Sequence, residues 1–437
     1  MRKFIFSFFV FILTGLISKA QNPNPALIGY WQNWYSVNAP YIQLDQVDSR
    51  YNIVDVAFAV PHSGTDYQME FIPDQVSPAT LISQMQTLQS QGKKVIISIG
   101  GATAPISLDN ITERDTFITT MNSIINTYGF DGIDIDFEGS SLSVSGGTIA
   151  SPIDAKIINL VYAIRQIMSD YFSANNKPLI LTMAPETAFV QGGMSAYGGI
   201  WGAYLPVIDA LRDSIEILHV QLYNSGTMYG IDGNIYTQGT ADFIVAMTEA
   251  VIQGFNTAGG MFAGLPANKV AIGLPACSNA AGSGFTDTAT VKSAIDYLRG
   301  NGPKPGLYTL VQPGGYPALR GMMTWSINWD ALNTCATIYQ YAENFENIFG
   351  TTTTVTELIS STKSFEVYPD PANDFINIHH FSDFRSKNET LNIYDSFGKI
   401  VFTKTISGTH EKINISEWSN GIYLIKLRNS LNKFIKG

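Results

Sequence analysis

Eight short apolar runs between Ala26 and Gly350 leave this chain few architectures. They read ALIGYW, NIVDVAFAV, KVIISIG, GIDIDFE, LILTMAP, EILHVQLY, KVAIGLP and GMMTWSI. Each is near-continuously apolar, as a strand buried on both faces must be; a strand with one wet face alternates instead. Helical patterns lie between most of them. TERDTFITTMNSIINTYG opens at Thr112 with acids in its first turn and closes on Gly129. DAKIINLVYAIRQIMSDYF and TADFIVAMTEAVIQGF carry apolar residues at three- and four-residue spacing. Strand–helix units in this number predict an α/β chain folded as a (β/α)8 TIM barrel. The 437 residues exceed one such barrel and leave room for a small second module.

Polar and aromatic residues gather at the C-terminal ends of the runs: Tyr30 to Trp34, Ser98, Glu138, Glu186, Gln221 to Asn224, and Trp325. In a barrel of this kind those ends form the mouth where chemistry takes place.

The fourth run carries the strongest signal. In GFDGIDIDFEG, Asp134, Asp136 and Glu138 alternate with Ile133, Ile135 and Phe137. Side chains alternate faces along a strand, so the three acids share the inner face and climb towards the mouth. Asp131 is out of step and serves the strand entrance. Stacked like charges cannot all ionise, so at least one acid holds a proton near neutral pH. The arrangement suits Glu138 as a protonated acid, with Asp136 beneath it sharing the proton. A calcium loop of the EF-hand type needs a glycine and a distal glutamate at set spacings that are missing here. The five histidines are scattered, so neither a metal nor a cofactor is expected.

Composition narrows the partner. Hydrophobic residues at 45% and charged ones at 14% describe a globular protein. The net charge of −10 argues against nucleic acid and against anionic membrane surfaces. Aromatic residues at 12% suit a protein that stacks rings on sugars. MRKFIFSFFVFILTGLISKA, residues 1–20, joins a basic start to an apolar run and small residues near its end, as a secretory signal peptide does. The run is shorter than the ~20 residues of a membrane span, and the mature protein is expected to have none. Export permits a disulfide between Cys277 and Cys335, and the sequence leaves that pairing open.

The spacing DGIDIDFE resembles the active-site signature of glycoside hydrolase family 18, the chitinases, at every fixed position. The resemblance covers roughly Ala26 to Gly350 and implies a catalytic barrel over residues 21–350. SIGG at Ser98–Gly101, TMAPE at Thr182–Glu186, QLYN at Gln221–Asn224 and Trp325 fall where that family carries motifs, with Asn224 standing where some branches have Asp. The resemblance implies a secreted, endo-acting, retaining chitinase in which the substrate's own acetamido oxygen is the nucleophile. It implies that Glu138 protonates the glycosidic oxygen and later activates water. Asp136 would steer the N-acetyl group, Asp134 would balance charge beneath it, and Tyr223 would donate to the acetamido oxygen. Trp325 would floor the pocket, and Met183, Gln221, Asn224, Tyr30 and Phe58 would complete the substrate-binding set. No second carboxylate is evident across the groove. Many processive members insert a domain between strands seven and eight; Pro275–Gly321 has room for one helix and loops, which implies an open groove and internal cleavage. The alternatives are an endo-β-N-acetylglucosaminidase acting on N-glycans and a chitin-binding lectin. A monomer acting on chitin or chito-oligosaccharide is expected.

Composition changes after Phe349. GTTTTVTELISSTKS is polar and Thr/Ser-rich, and residues 351–363 read as a linker. From residue 364 to 437, short alternating strands separated by turn signals predict a small β-sandwich. FEVYPDPANDFINI, IYDSFGKIV and GIYLIKL followed by FIKG resemble the type A C-terminal sorting domain of the bacterial type IX secretion system. That implies the secretion machinery as a partner, and removal of the module on export. A carbohydrate-binding module is the other reading, with Trp418 as its one candidate platform.

Overall fold

Every one of the eight apolar runs contributes a parallel strand to one sheet. The strands are β1 (Ala26–Gln32), β2 (Ile53–Pro61), β3 (Lys94–Gly100), β4 (Gly132–Asp136), β5 (Ile180–Met183), β6 (Ile217–Leu218), β7 (Ala271–Pro275) and β8 (Gly321–Trp325). Their order is β7-β8-β1-β2-β3-β4-β5-β6. Isolated parallel bridges Leu218–Val270 and Gln221–Gly273 join β6 to β7, which closes the ring into a (β/α)8 barrel. The computed structural model describes residues 22–335, 337–350, 365–380, 389–395, 399–406, 410–427 and 430–436. The segments read as signal peptide and linker lie outside the described residues.

The helices that cover the sheet begin where their sequences say they should. Helix α1 spans Pro78–Ser90, α2 Ile111–Tyr128, α3 Ala155–Asn175, α4 Leu205–Leu211, α5 Ala241–Gln253 and α6 Thr288–Leu298. Asn110 caps α2 in a full capping box with Glu113, and Gly129 ends it in the left-handed region at φ 77°. The Thr240 hydroxyl accepts from the Phe243 N–H at the start of α5. The α6 helix is the only one between β7 and β8, as the short Pro275–Gly321 connection predicts.

Strand alternation divides the apolar residues into two layers. Ile133, Ile135 and Phe137 face outward with Ile97, Ile99 and Leu181 into the large core under the helices. Ile28, Ile53, Ile96, Ile180, Ile217 and Met323 face inward and plug the barrel from below. Above that plug the inward residues turn polar, and the site begins there. Asp131 accepts from the Val95 N–H at 3.1 Å and from Gln89 Nε2 at 3.0 Å, which ties the entrance of β4 to its neighbours.

The Cys277 and Cys335 sulfurs are bonded, with Cα atoms 5.2 Å apart. The second unit, described by itself, is a pair of antiparallel sheets around one apolar core. One sheet holds Phe365–Tyr368, Phe375–His380 and His410–Asn414; the other holds Ile400–Ile406, Glu389–Tyr394, Gly421–Leu427 and Ser430–Lys436. Trp418 is half-buried and packs on Tyr423 and Phe434 at ring separations of 5.0 and 6.4 Å, so it serves that core. Among the described residues no helix is long and apolar enough to cross a membrane.

Candidate active site

The three acids of β4 rise through the barrel as the alternation requires. Asp134 and Asp136 are buried, and Glu138, just past the strand, is half-buried at the mouth. Asp134 sits lowest and is saturated. Tyr30 Oη and Ser98 Oγ donate to its Oδ2 at 2.6 and 2.7 Å, and Thr182 Oγ1 donates to its Oδ1 at 2.7 Å. Burial pushes its carboxyl up, but the charge of His219 and the donated hydrogen bonds outweigh that and hold it below the ordinary range. Asp134 is therefore the anion at the base of the stack.

Asp136 is in the opposite state. Burial, then the charges of Glu138 and Asp134, push it well above the ordinary carboxylate range. That shift favours its protonated form, with Glu138 as the facing acceptor. Glu138 is also raised, chiefly by burial, while bonds from Gln221 and Asp136 pull it back. One proton is thus shared between the two, as two closely placed carboxylates require. Gln221 spans both: its Nε2 donates to Asp136 Oδ1 at 2.8 Å, to Glu138 Oε1 at 3.1 Å and to the Ala184 carbonyl at 3.0 Å. It fixes the geometry of the pair and cannot accept their proton.

A cavity of about 530 Å3 opens above this pair. Its aromatic wall comes from three strands. The Trp325 ring lies parallel to Phe58, 5.7 Å away at 11°, and 5.6 Å from Tyr30 and 6.3 Å from Trp34. Gly100 and Gly101 make room for this wall. A Cβ on Gly100 would stand 2.4 Å from the Asp136 carbonyl oxygen, and one on Gly101 would stand 2.9 Å from the Phe58 ring; both residues have positive φ. Tyr223 lines the cavity, and burial, then the charges of Asp136 and Glu138, keep its phenol protonated and able to donate.

Of the residues singled out in the sequence, Glu138, Asp136, Gln221, Tyr223, Asn224, Trp325, Tyr30 and Phe58 line one cavity, with Asp134 directly beneath. Asn224 has its Oδ1 committed to the Ser283 N–H at 3.1 Å. Met183 does not line the cavity. Thr182 is the inward residue of β5, so Met183 points outward and is fully buried in the helix-side core. Trp34, which the sequence puts at the mouth but not in the substrate-binding set, lies just past β1 and joins the aromatic wall. Sequence reasoning missed Glu70: this acid lines the cavity wall, with its Oε2 held by His62 Nδ1 at 2.7 Å. Glu70 is thus a further carboxylate lining the wall. Glu186, at the end of β5, is pushed up to about 7 by burial and by the charge of Glu138.

A stacked, proton-sharing acid pair beneath an aromatic-walled cavity at the mouth of a (β/α)8 barrel defines a glycosidase-type site. Residues 26–358 match the family model described as Glycosyl hydrolases family 18, and the chain belongs to that family. It is 47% identical over 321 residues to Chitinase Chi52 of Paenibacillus xylanexedens and 48% identical over 322 residues to Chitinase D of Niallia circulans. Each alignment covers 71% of this chain and 60% of the relative, so this chain spans about 60% of the length of those proteins. A solved family GH18 chitinase from Chromobacterium violaceum superposes with a TM-score of 0.65 and 36% identity, covering 74% of this chain and 83% of that one. Residues 366–437 match the model described as Secretion system C-terminal sorting domain.

Proposed function

We propose that this protein is a secreted chitinase that hydrolyses β-1,4 bonds between N-acetylglucosamine units with retention of configuration. The observation that carries the reading is the pairing of Asp136 with Glu138 at the mouth of the barrel, held in register by Gln221 Nε2 at 2.8 and 3.1 Å. Glu138, at the mouth, gives that proton to the glycosidic oxygen. Asp136, freed of it, turns to the N–H of the substrate's acetamido group and aims its carbonyl oxygen at the anomeric carbon. Tyr223 donates to that oxygen as it attacks. A nucleophile tied to the same sugar reacts intramolecularly, which lowers the barrier by several kcal/mol. Asp134, anionic and fixed by three hydroxyls, keeps the proton above it. The aromatic wall of Trp325, Phe58 and Trp34 stacks on the sugar faces. The relatives favour chitin over N-glycans as the substrate. Among them are proteins named endochitinase and one named exochitinase; the single helix between β7 and β8 leaves the groove open and favours internal cleavage here. The proposed domain limits are 21–350 for the barrel and 364–437 for a module that passes the protein to a type IX secretion system.

The test is an assay on chitin, chitosan and cellulose oligomers of equal length, beside a high-mannose glycoprotein, with the first anomer read by NMR. Only chitin oligomers should be cut, with the β-anomer formed first. Cleavage of cellulose, or an α-anomer formed first, would defeat the mechanism; release of N-glycans in place of chito-oligosaccharides would defeat the substrate.

A further inference from the structure

One layer below Asp136 the barrel interior holds a group that the proposed reaction does not use. His219, two residues before Gln221, is fully buried, as is Asp55 on β2. His219 Nε2 lies 3.4 Å from Asp134 Oδ1 and 3.7 Å from Asp55 Oδ2. Among the described residues, neither His219 ring nitrogen and neither Asp55 oxygen has a hydrogen-bond partner of ordinary length. The Tyr30 ring meets the imidazole edge-on at 6.2 Å. Barrel interiors of this kind are ordinarily filled by branched aliphatic side chains, which cost far less to bury than two acids and an imidazole.

The charges decide what the cluster does. The groups facing His219 are Asp55 from β2, Asp134 from β4 with Asp136 above it, and Tyr30 from β1. Ser98 and Thr182 contribute neutral hydroxyls to Asp134, and among the described residues no Lys or Arg forms an ion pair with either acid. A bare lone pair on Nε2 would be repelled by the Asp134 carboxylate, so that nitrogen carries its hydrogen towards it. Asp55 has no donors, and burial together with the Asp134 charge pushes it well up, so it keeps a proton. Asp134 has three hydroxyl donors and remains the anion.

We propose that His219 and Asp55 are a positioning pair for the acid stack: the His219 Nε2–H is aimed at Asp134 Oδ1, Asp55 leaves that hydrogen to Asp134, and the mobile proton stays one level up, between Asp136 and Glu138. The inference rests on the glycosidic cleavage proposed above and adds to it the means by which the proton is kept at the mouth. The three ligand atoms lie within 4.8 Å of one another, a spacing that a divalent cation would also accept. The proton reading is favoured because both Asp134 oxygens already receive hydroxyl donors.

The test uses the full-length protein with His219→Gln and Asp55→Asn. If His219 holds Asp134 ionised, its loss lets Asp134 compete for the shared proton. The basic limb of the kcat profile should then move to lower pH by about one unit in His219→Gln, with KM changed less than about threefold, while Asp55→Asn, which exchanges one neutral group for another, leaves the limb in place. A His219→Gln profile that superimposes on wild type after scaling means that His219 only fills space, and a limb that moves up means that Asp134 stays ionised unaided; either overturns the proposal. Stoichiometric metal in the purified wild-type protein, lost in His219→Gln, overturns it in favour of a cation. If the variants do not fold, 15N spectra of histidine-labelled wild type decide. One of the five rings should carry its hydrogen on Nε2 at the pH of maximal activity, protected from solvent exchange, and a spectrum without such a ring refutes the pair. The spectra need no substrate, so a protein that cleaves no chitin defeats the proposed function without deciding this inference.

Discussion

The acid on α5 and the acid pair at the barrel mouth differ completely in their surroundings. Glu249, on α5, is fully buried beneath the loop that follows α6. It accepts from Tyr308 Oη and Tyr316 Oη at 2.6 Å each, and from the Val311 N–H at 2.9 Å. Its lone pairs are occupied, so it has nothing to offer a substrate; it pins a loop. Glu138 and Asp136 receive one shared amide hydrogen donor, Gln221, and otherwise face each other and the cavity. Full satisfaction makes a buried acid structural, while scarcity of donors pushes its proton affinity up and makes it reactive.

The largest test of that contrast is Glu138→Gln. It removes the acid and keeps the shape, so turnover should fall by about 10³-fold or more while oligosaccharide binding survives, read by kcat against KM and by calorimetry. A variant that keeps a tenth of wild-type activity would break the assignment. Asp136→Asn should cost about 10²-fold in kcat, with a smaller change in KM, because the amide can neither share the proton nor orient the acetamido N–H in the same way. Glu249→Gln should do the reverse. Losing a carboxylate that three donors address should reduce stability by about 2–3 kcal/mol, visible in a urea titration, with kcat of the folded fraction unchanged.

Glu186 lies between the two cases. Its carboxyl, raised to about 7, ionises as pH rises through neutrality and places a second negative charge beside Glu138. The proton on Glu138 is then held more tightly, and the basic limb of the kcat profile should carry an inflection near that value. Glu186→Gln should remove it; an unchanged inflection would assign that limb to Asp136 and Glu138 alone. The smallest effect is expected at Glu70. If the acetamido oxygen is the nucleophile, Glu70→Gln should leave turnover within about threefold of wild type. A loss of several orders of magnitude would make this wall acid the nucleophile and sink the substrate-assisted reading.

Much of this was legible without a structure. The continuous apolar runs specify strands covered on both sides, and their number specifies the ring. The period of two puts Asp134, Asp136 and Glu138 on one face, since successive side chains cannot share one. The same period already contained the answer for Met183: with Thr182 facing in, Met183 had to face out, and motif position misled where alternation did not. Trp418 likewise packs against the apolar core of the C-terminal module, which a reading of residue types along the strand could not show.

What the sequence by itself determined was local: which segments are strands, which residues share a face, where the helices cap, and that three acids are stacked. What only the tertiary structure decided was who meets whom across the barrel. Tyr30, Asp55, Ser98, Thr182 and His219 come from five different strand runs, and they form one layer around Asp134 only because the register of the closed sheet brings them to the same height. The same closure stacks Phe58 on Trp325, brings Glu70 into the wall and sets Cys277 against Cys335. Periodicity reports direction within a strand, but the charge on a buried acid depends on its neighbours from other strands. The ionised state of Asp134, and with it the place of the catalytic proton, is therefore a property of the assembled barrel.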